Sequence, residues 1–175
     1  MRRYSKFFLT VLLFALSCSS PILGDPQLVI DDSCAVVGDS YVATYWPLGG
    51  TRYAEAGYSV AQITKLIQES KPRHFDTVYV VAGVANISHI LKSQTWKPED
   101  VVGSTALGAT KEEIINDLLP AIESTLTPGK IIVLDPTEMI NLLIAGEHIT
   151  PDGYHLLPPA YTNLLQTKPL YSSAL

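Results

Sequence analysis

The 175-residue sequence predicts an α/β domain in which a mainly parallel sheet is covered by helices on both faces. Three observations lead there. Short apolar runs rich in Val, Ile and Tyr recur along the chain, each bounded by Gly, Asp or Pro, as buried strands are. Segments of helical periodicity separate them, and strands that alternate with helices pair in parallel. With 47% hydrophobic and 17% charged residues, the chain can build one core and lacks the bias of a disordered polymer.

Taken in order, residues 1–24 stand apart from this domain, which is expected to span 25–175. Arg2, Arg3 and Lys6 precede the apolar run from Phe7 to Leu16, and the small residues Ser17, Cys18, Ser19 and Ser20 follow it, the layout of a secretory signal. The run is about half the roughly 20 residues that a membrane-spanning helix needs. The expected address is therefore extracytoplasmic: secreted, periplasmic or at the cell surface. Ala15-Leu16-Ser17-Cys18 also loosely resembles the site at which bacterial lipoproteins are lipidated on cysteine, so a membrane tether through Cys18 is the alternative to release. Removal of residues 1–24 leaves nine Lys and Arg against seventeen Asp and Glu, a net charge of −8. That sign argues against a nucleic-acid partner. Cys34 is then the lone cysteine, which excludes an internal disulfide, and its apolar surroundings in the sequence predict a buried, inert thiol.

The first strand is expected at Ala35 to Val37, the second at Thr77 to Ala82 and the third at Lys130 to Leu134. Between the first two, Ser59 to Glu69 places Val60, Ile63, Leu66 and Ile67 on one helical face. Between the next two, Lys111 to Leu126 does the same with Ile114, Ile115, Leu118, Leu119 and Ile122. A last helix starts near Pro158 or Pro159, since proline is tolerated in a first helical turn, and runs through Tyr161, Leu164 and Leu165. Leu91 to Ala109 and Pro136 to Thr150 show no clear period. Both follow expected strands, which puts them at the carboxyl edge of the sheet, where open α/β proteins bind ligands.

That edge also receives Gly38-Asp39-Ser40. A chance match to these three residues occurs in roughly one chain in twenty of this length at average composition, and turns favour Asp and Ser on conformational grounds alone. A serine hydroxyl becomes a useful nucleophile only when a base removes its proton. Asp152 and His155 supply such a pair: three positions apart in a turn, a carboxylate can hold one ring nitrogen while the other points away. His74 lies in a charged run and His148 in an unassigned segment, so both read as surface or packing residues; His89 lies nearer the expected site. Two further residues follow strands as possible oxyanion donors, Gly57 with its backbone N–H and Asn86 with its side-chain amide.

These stretches together resemble the SGNH hydrolase superfamily, the Gly-Asp-Ser esterases and lipases, over nearly the whole length after residue 24. Gly38-Asp39-Ser40 resembles the nucleophile block, Gly57-Tyr58-Ser59 the glycine block, Asn86 the asparagine of the third block and Asp152-Gly153-Tyr154-His155 the closing Asp-x-x-His. The resemblance implies a three-layer α/β/α sandwich with a short, mainly parallel, flavodoxin-like sheet. It implies Ser40 as nucleophile, His155 as base and then acid, Asp152 as its orienter, and an oxyanion hole from the Ser40 and Gly57 N–H groups plus the Asn86 amide. It implies no cofactor. The sequence departs from the family where Val84 and Ile87 replace the glycine and acid that flank the asparagine, and where Tyr41 replaces a leucine. The competing α/β-hydrolase architecture needs G-x-S-x-G, and Val42 stands in place of its second glycine. H-E-x-x-H, C-x-x-C and G-x-x-x-x-G-K are absent from the sequence, so metal and nucleotide readings gain no support.

The expected function is a secreted serine esterase acting on a small ester or an acylated glycan or lipid. Tyr45, Trp46, Tyr53 and Trp96 suggest a stacking surface for sugars, hence removal of acetyl groups from a glycan. Met139 to Ala145 suggests instead a groove for a long acyl chain, hence a lysophospholipase or thioesterase. A third reading takes the altered third block as the mark of a degenerate, non-catalytic surface binding module.

Overall fold

A computed structural model describes residues 30–93, 95–146 and 148–174. The expected signal segment, with Cys18, lies outside the described residues. The strands are β1 (Cys34–Gly38), β2 (Thr51–Ala54), β3 (Thr77–Val81), β4 (Lys130–Val133) and β5 (Tyr171–Ala174). They form one sheet in the order β2-β1-β3-β4-β5, parallel except for the antiparallel edge strand β5. Alternate residues of each strand face opposite ways. Ala35, Val37, Val78 and Val80 therefore join one core, while Val36, Tyr79 and Val81 join the other.

The first core is closed by α2 (Val60–Gln68), by α6 (Leu119–Leu126) and by the turn that joins α6 to the preceding α5 (Thr105–Glu113). Ser59 starts α2 with a reciprocal capping box to Gln62, which fixes its first turn. One π-helical turn, Ile114–Leu118, separates α5 from α6. It sits where Pro120, which has no N–H to give, would otherwise drive its ring into the preceding turn. The second core is covered by α1 (Ser40–Ala43), α7 (Pro136–Ala145) and α8 (Pro158–Gln166), with contributions from α3 (Val84–Leu91), from Val101 of α4 (Pro98–Val101) and from Ala106 and Leu107 of α5. The result is the three-layer α/β/α sandwich. No described helix is long and apolar enough to cross a membrane.

The elements expected from periodicity are present, with α5 beginning before Lys111. The two unassigned stretches resolve into α4, the start of α5 and α7. Met139, Ile140 and Leu143 of α7 are buried in the core, so these residues of the Met139 to Ala145 stretch pack a covering helix onto the sheet. Cys34 is only partly buried, because it opens its strand beside the exposed turn 31–33.

This strand order has a functional consequence. From β1 the chain first steps to β2 and then crosses to β3 on the other side, so the carboxyl ends of β1 and β3 flank a topological switch point, where sheets of this kind form a crevice. Gly38 and Val81 are register partners at that end.

Candidate active site

Ser40 is delivered to this crevice by a tight strand end. A Cβ on Gly38 would lie 2.1 Å from the Val81 carbonyl oxygen and 2.5 Å from Val42 Cγ2, so glycine alone lets β1 and β3 close together there. Asp39 then caps α1: its Oδ1 accepts the Tyr41 N–H at 3.1 Å, and its Oδ2 accepts the Gly83 and Ala85 N–H groups, each at 3.2 Å. The carboxylate is fully buried. Burial pushes its pKa up, and the three N–H groups offset only part of that. Asp39 thus staples the loop after β1 to the loop after β3 and leaves Ser40, half-buried, as the first residue of α1.

The partner side chains come from the loop between α7 and α8. Ile149 and Leu156 form an antiparallel bridge, and the Thr150 N–H donates to the His155 carbonyl at 2.8 Å. Inside the loop so closed, His155 Nδ1–H donates to Asp152 Oδ2 at 2.8 Å, while His155 Nε2 accepts the Ser40 hydroxyl at 2.8 Å. A carboxylate only accepts, so it fixes the ring proton on Nδ1 and leaves the Nε2 lone pair for the serine. The other carboxylate oxygen, Oδ1, accepts the Thr150 hydroxyl and the Tyr154 N–H. Burial would raise the pKa of Asp152, but these two donors and His155 outweigh it and hold the group at about 2. Asp152 is therefore ionised at any ordinary pH.

Aromatic rings fix the imidazole from the side. Tyr45 stacks on it with ring centroids 4.4 Å apart and planes 30° apart, and Tyr41 meets it at 5.4 Å. The Tyr41 hydroxyl donates to the Tyr154 carbonyl, and the Tyr161 hydroxyl donates to the Tyr41 carbonyl at 3.0 Å, so α1 and α8 both brace the loop. Burial, and after it the nearby Asp39 charge, pushes both phenol pKa values up, which keeps them as donors.

An open cleft of about 250 Å³ lies against the Ser40–His155 pair, lined by Gly57, Val84, Ala85, Ser88, His89, Trp96 and Tyr154. Gly57 and Ser40 thus both line it. Asn86 does not. Its Oδ1 accepts the Val60 N–H at 3.0 Å, and its amide donates to Thr110 Oγ1 and Glu113 Oε2, each at 3.1 Å. The residue is buried with both amide hydrogens committed. The reason is rotational: α3 begins at Val84, and at about 100° per residue Val84, Ala85, Ser88 and His89 share the cleft face while Asn86 and Ile87 point away.

The four aromatics expected to form a platform are dispersed. Trp46 is buried against Tyr161, Tyr53 packs on Phe75, Tyr45 lies on His155, and only Trp96 lines the cleft, edge-on to Tyr154. His74 and His148 are exposed, as expected. The roles of Asp39, Tyr45, Thr150 and His89 were not foreseen from the sequence; they depend on pairings such as 39 with 83 and 85, for which one sequence carries no signal. The site as built couples an alcohol, an imidazole and a carboxylate in a sandwich fold, at the crevice of its sheet. A scan against protein-family models finds no match for the chain, and a search of the curated proteins finds none.

Proposed function

We propose that the chain is an SGNH-like serine esterase that hydrolyses a short-chain carboxylic ester through an acyl-enzyme on Ser40. The observation that carries this is the continuous relay from Ser40 through His155 to Asp152, two bonds of 2.8 Å that join residues 115 positions apart. In the proposed reaction His155 Nε2 takes the Ser40 proton as Oγ attacks the ester carbonyl. The imidazolium rests against ionised Asp152, and the developing oxyanion is met by the Ser40 and Gly57 N–H groups. Collapse expels the alcohol with the proton returned by His155. Water, activated by the same ring, then releases the acid.

The cleft's volume, about 250 Å³, is below the roughly 300–1,000 Å³ of pockets that enclose drug-sized ligands, which favours an acetyl or similarly short acyl group over a long one. An acetylated glycan in an extracytoplasmic setting fits this reading. The direct test is hydrolysis of p-nitrophenyl acetate by the protein and by Ser40→Ala and His155→Ala. Both variants are expected to fold and to lose activity; wild-type rates in either would remove the assignment. A chain-length series of the same esters is expected to fall steeply beyond acetate.

The orientation of Asn86 favours a second reading, a binding module with a weakened oxyanion site. Labelling by a fluorophosphonate probe separates the two: an esterase is labelled at Ser40, and a folded binding module is not.

A further inference from the structure

The proposed chemistry gives weight to a glycine that nothing around it packs. Gly57 lies in the exposed turn between β2 and α2, in the left-handed region at φ +78°, and no atom outside its neighbours comes within 4 Å of where its Cβ would be. The turn itself is closed by one long bond, from the Tyr58 N–H to the Glu55 carbonyl at 3.3 Å. Left to itself, a glycine visits both signs of φ about equally. An oxyanion donor acts through being fixed in advance, so a wandering N–H contributes little.

What fixes the turn comes from α3. His89 Nε2 lies 2.9 Å from the Gly57 carbonyl oxygen; a carbonyl only accepts, so Nε2 carries the proton and donates. Three residues earlier on the same helix, Asn86 accepts the Val60 N–H. Residues 86 and 89 of α3 therefore grip residues 60 and 57 of the opposing segment, equal spacings on the two sides. The Asn86 grip sits on the capped, already rigid start of α2, whereas the His89 grip falls on the glycine itself. His89 is exposed, and the side-chain hydrogen bond it makes among the described residues is the one to Gly57.

We propose that His89 is a positioning residue of the esterase site: by holding the Gly57 carbonyl it fixes the peptide that follows the glycine, which restricts the φ and ψ of Gly57 and so aims the N–H that precedes its Cα into the cleft. This rests on the esterase reading given above. Asn86, turned into the core, then still serves the oxyanion hole, by holding the other end of the same segment.

The test compares His89→Leu, which fills similar space without a donor, with His89→Gln, whose amide N–H reaches about as far as Nε2. Two readouts are taken on each folded protein: kcat and KM for p-nitrophenyl acetate, and the backbone order of the Gly57 amide from ¹⁵N relaxation. His89→Leu is expected to lose roughly tenfold or more in kcat at nearly unchanged KM, to loosen the Gly57 amide, and to keep the wild-type thermal midpoint. His89→Gln is expected to restore both kcat and order. Equal Gly57 order in all three proteins, or equal losses of kcat in the Leu and Gln variants, would overturn the inference. Failure of the esterase reading shows differently, as a wild type that hydrolyses no ester and takes no fluorophosphonate while its Gly57 order still depends on residue 89.

Discussion

Replacing Asp152 by asparagine tests the relay most sharply, because the surroundings dictate which way the amide must face. Oδ1 receives two donors, the Thr150 hydroxyl and the Tyr154 N–H. The amide oxygen of the variant takes that side. Its NH₂ is left facing His155 Nδ1, which then must accept, so the ring proton moves to Nε2. In that tautomer Nε2 faces Ser40 as a donor and cannot take its proton. Returning to the reactive tautomer breaks the new bond and leaves two donors face to face, about 1–3 kcal/mol. The transition state also loses the attraction between imidazolium and carboxylate, about 4 kcal/mol for charges centred about 4 Å apart at an effective dielectric of about 20. The Asp152 side chain is 44% exposed, and solvent screening brings that to about 2 kcal/mol. The total, about 3–5 kcal/mol, corresponds to a fall in kcat of roughly 10²- to 10⁴-fold. The assay is the initial rate on p-nitrophenyl acetate at saturating substrate, with the thermal midpoint as a check on folding. A loss smaller than tenfold in the folded variant would refute the reasoning, since the carboxylate would then not be setting the tautomer.

The same carboxylate carries a pH signature. Its pKa is depressed from 3.8 to about 2 in the folded state, so its stabilising contribution is complete above the unfolded value and is lost as pH falls through about 2. The gap in thermal midpoint between wild type and Asp152→Asn is expected to close between about pH 4 and 2, as the carboxylate takes up its proton; a gap that persists undiminished to about pH 2 contradicts this. Asn86→Ala is expected to destabilise by about 2–4 kcal/mol in urea unfolding, because the Val60 N–H and the Thr110 and Glu113 oxygens lose a buried partner. A wild-type urea midpoint would show that these bonds are dispensable. Tyr45→Ala is expected to lower kcat roughly two- to fivefold through loss of the ring lying on the imidazolium. Tyr45→Phe should match the wild type, because the hydroxyl plays no part; equal losses in both would point to the phenol instead.

What could be read from the sequence divides along physical lines. β1, β3 and β4 are apolar runs buried on both faces, and such runs announce themselves. β2 and β5 are edge strands, half-exposed and of mixed polarity in Thr51–Ala54 and Tyr171–Ala174, so their pairing comes from the sheet they complete. α7 buries Met139, Ile140 and Leu143 yet is apolar nearly all round, which blurs its period. Among the site residues, Asp152 and His155 were legible because their partnership is local, three positions apart within one turn, and Ser40 because a strand end delivers it. Tyr45 is five residues from Ser40, but its stacking on His155 depends on a loop more than 100 residues away.

Asn86 shows how one residue of helical phase decides a role. Had α3 begun one position later, its amide would occupy the angle that Ala85 holds, on the cleft. Asp39 prevents this. The Gly83 and Ala85 N–H groups both end on its Oδ2, and a later helix start would strip the buried carboxylate of donors that offset its burial. The acid in Gly-Asp-Ser therefore sets the phase of α3 as well as capping α1, and with that phase set, the cleft face of the helix carries Ala85, Ser88 and His89 in place of an amide. On the proposed reading, an oxyanion in this site would be left to two backbone N–H groups. One, on Ser40, is held by the strand end and the Asp39 cap. The other, on Gly57, has His89 for its nearest constraint, so whatever rate the site reaches should depend on that histidine more than on the asparagine the motif put forward.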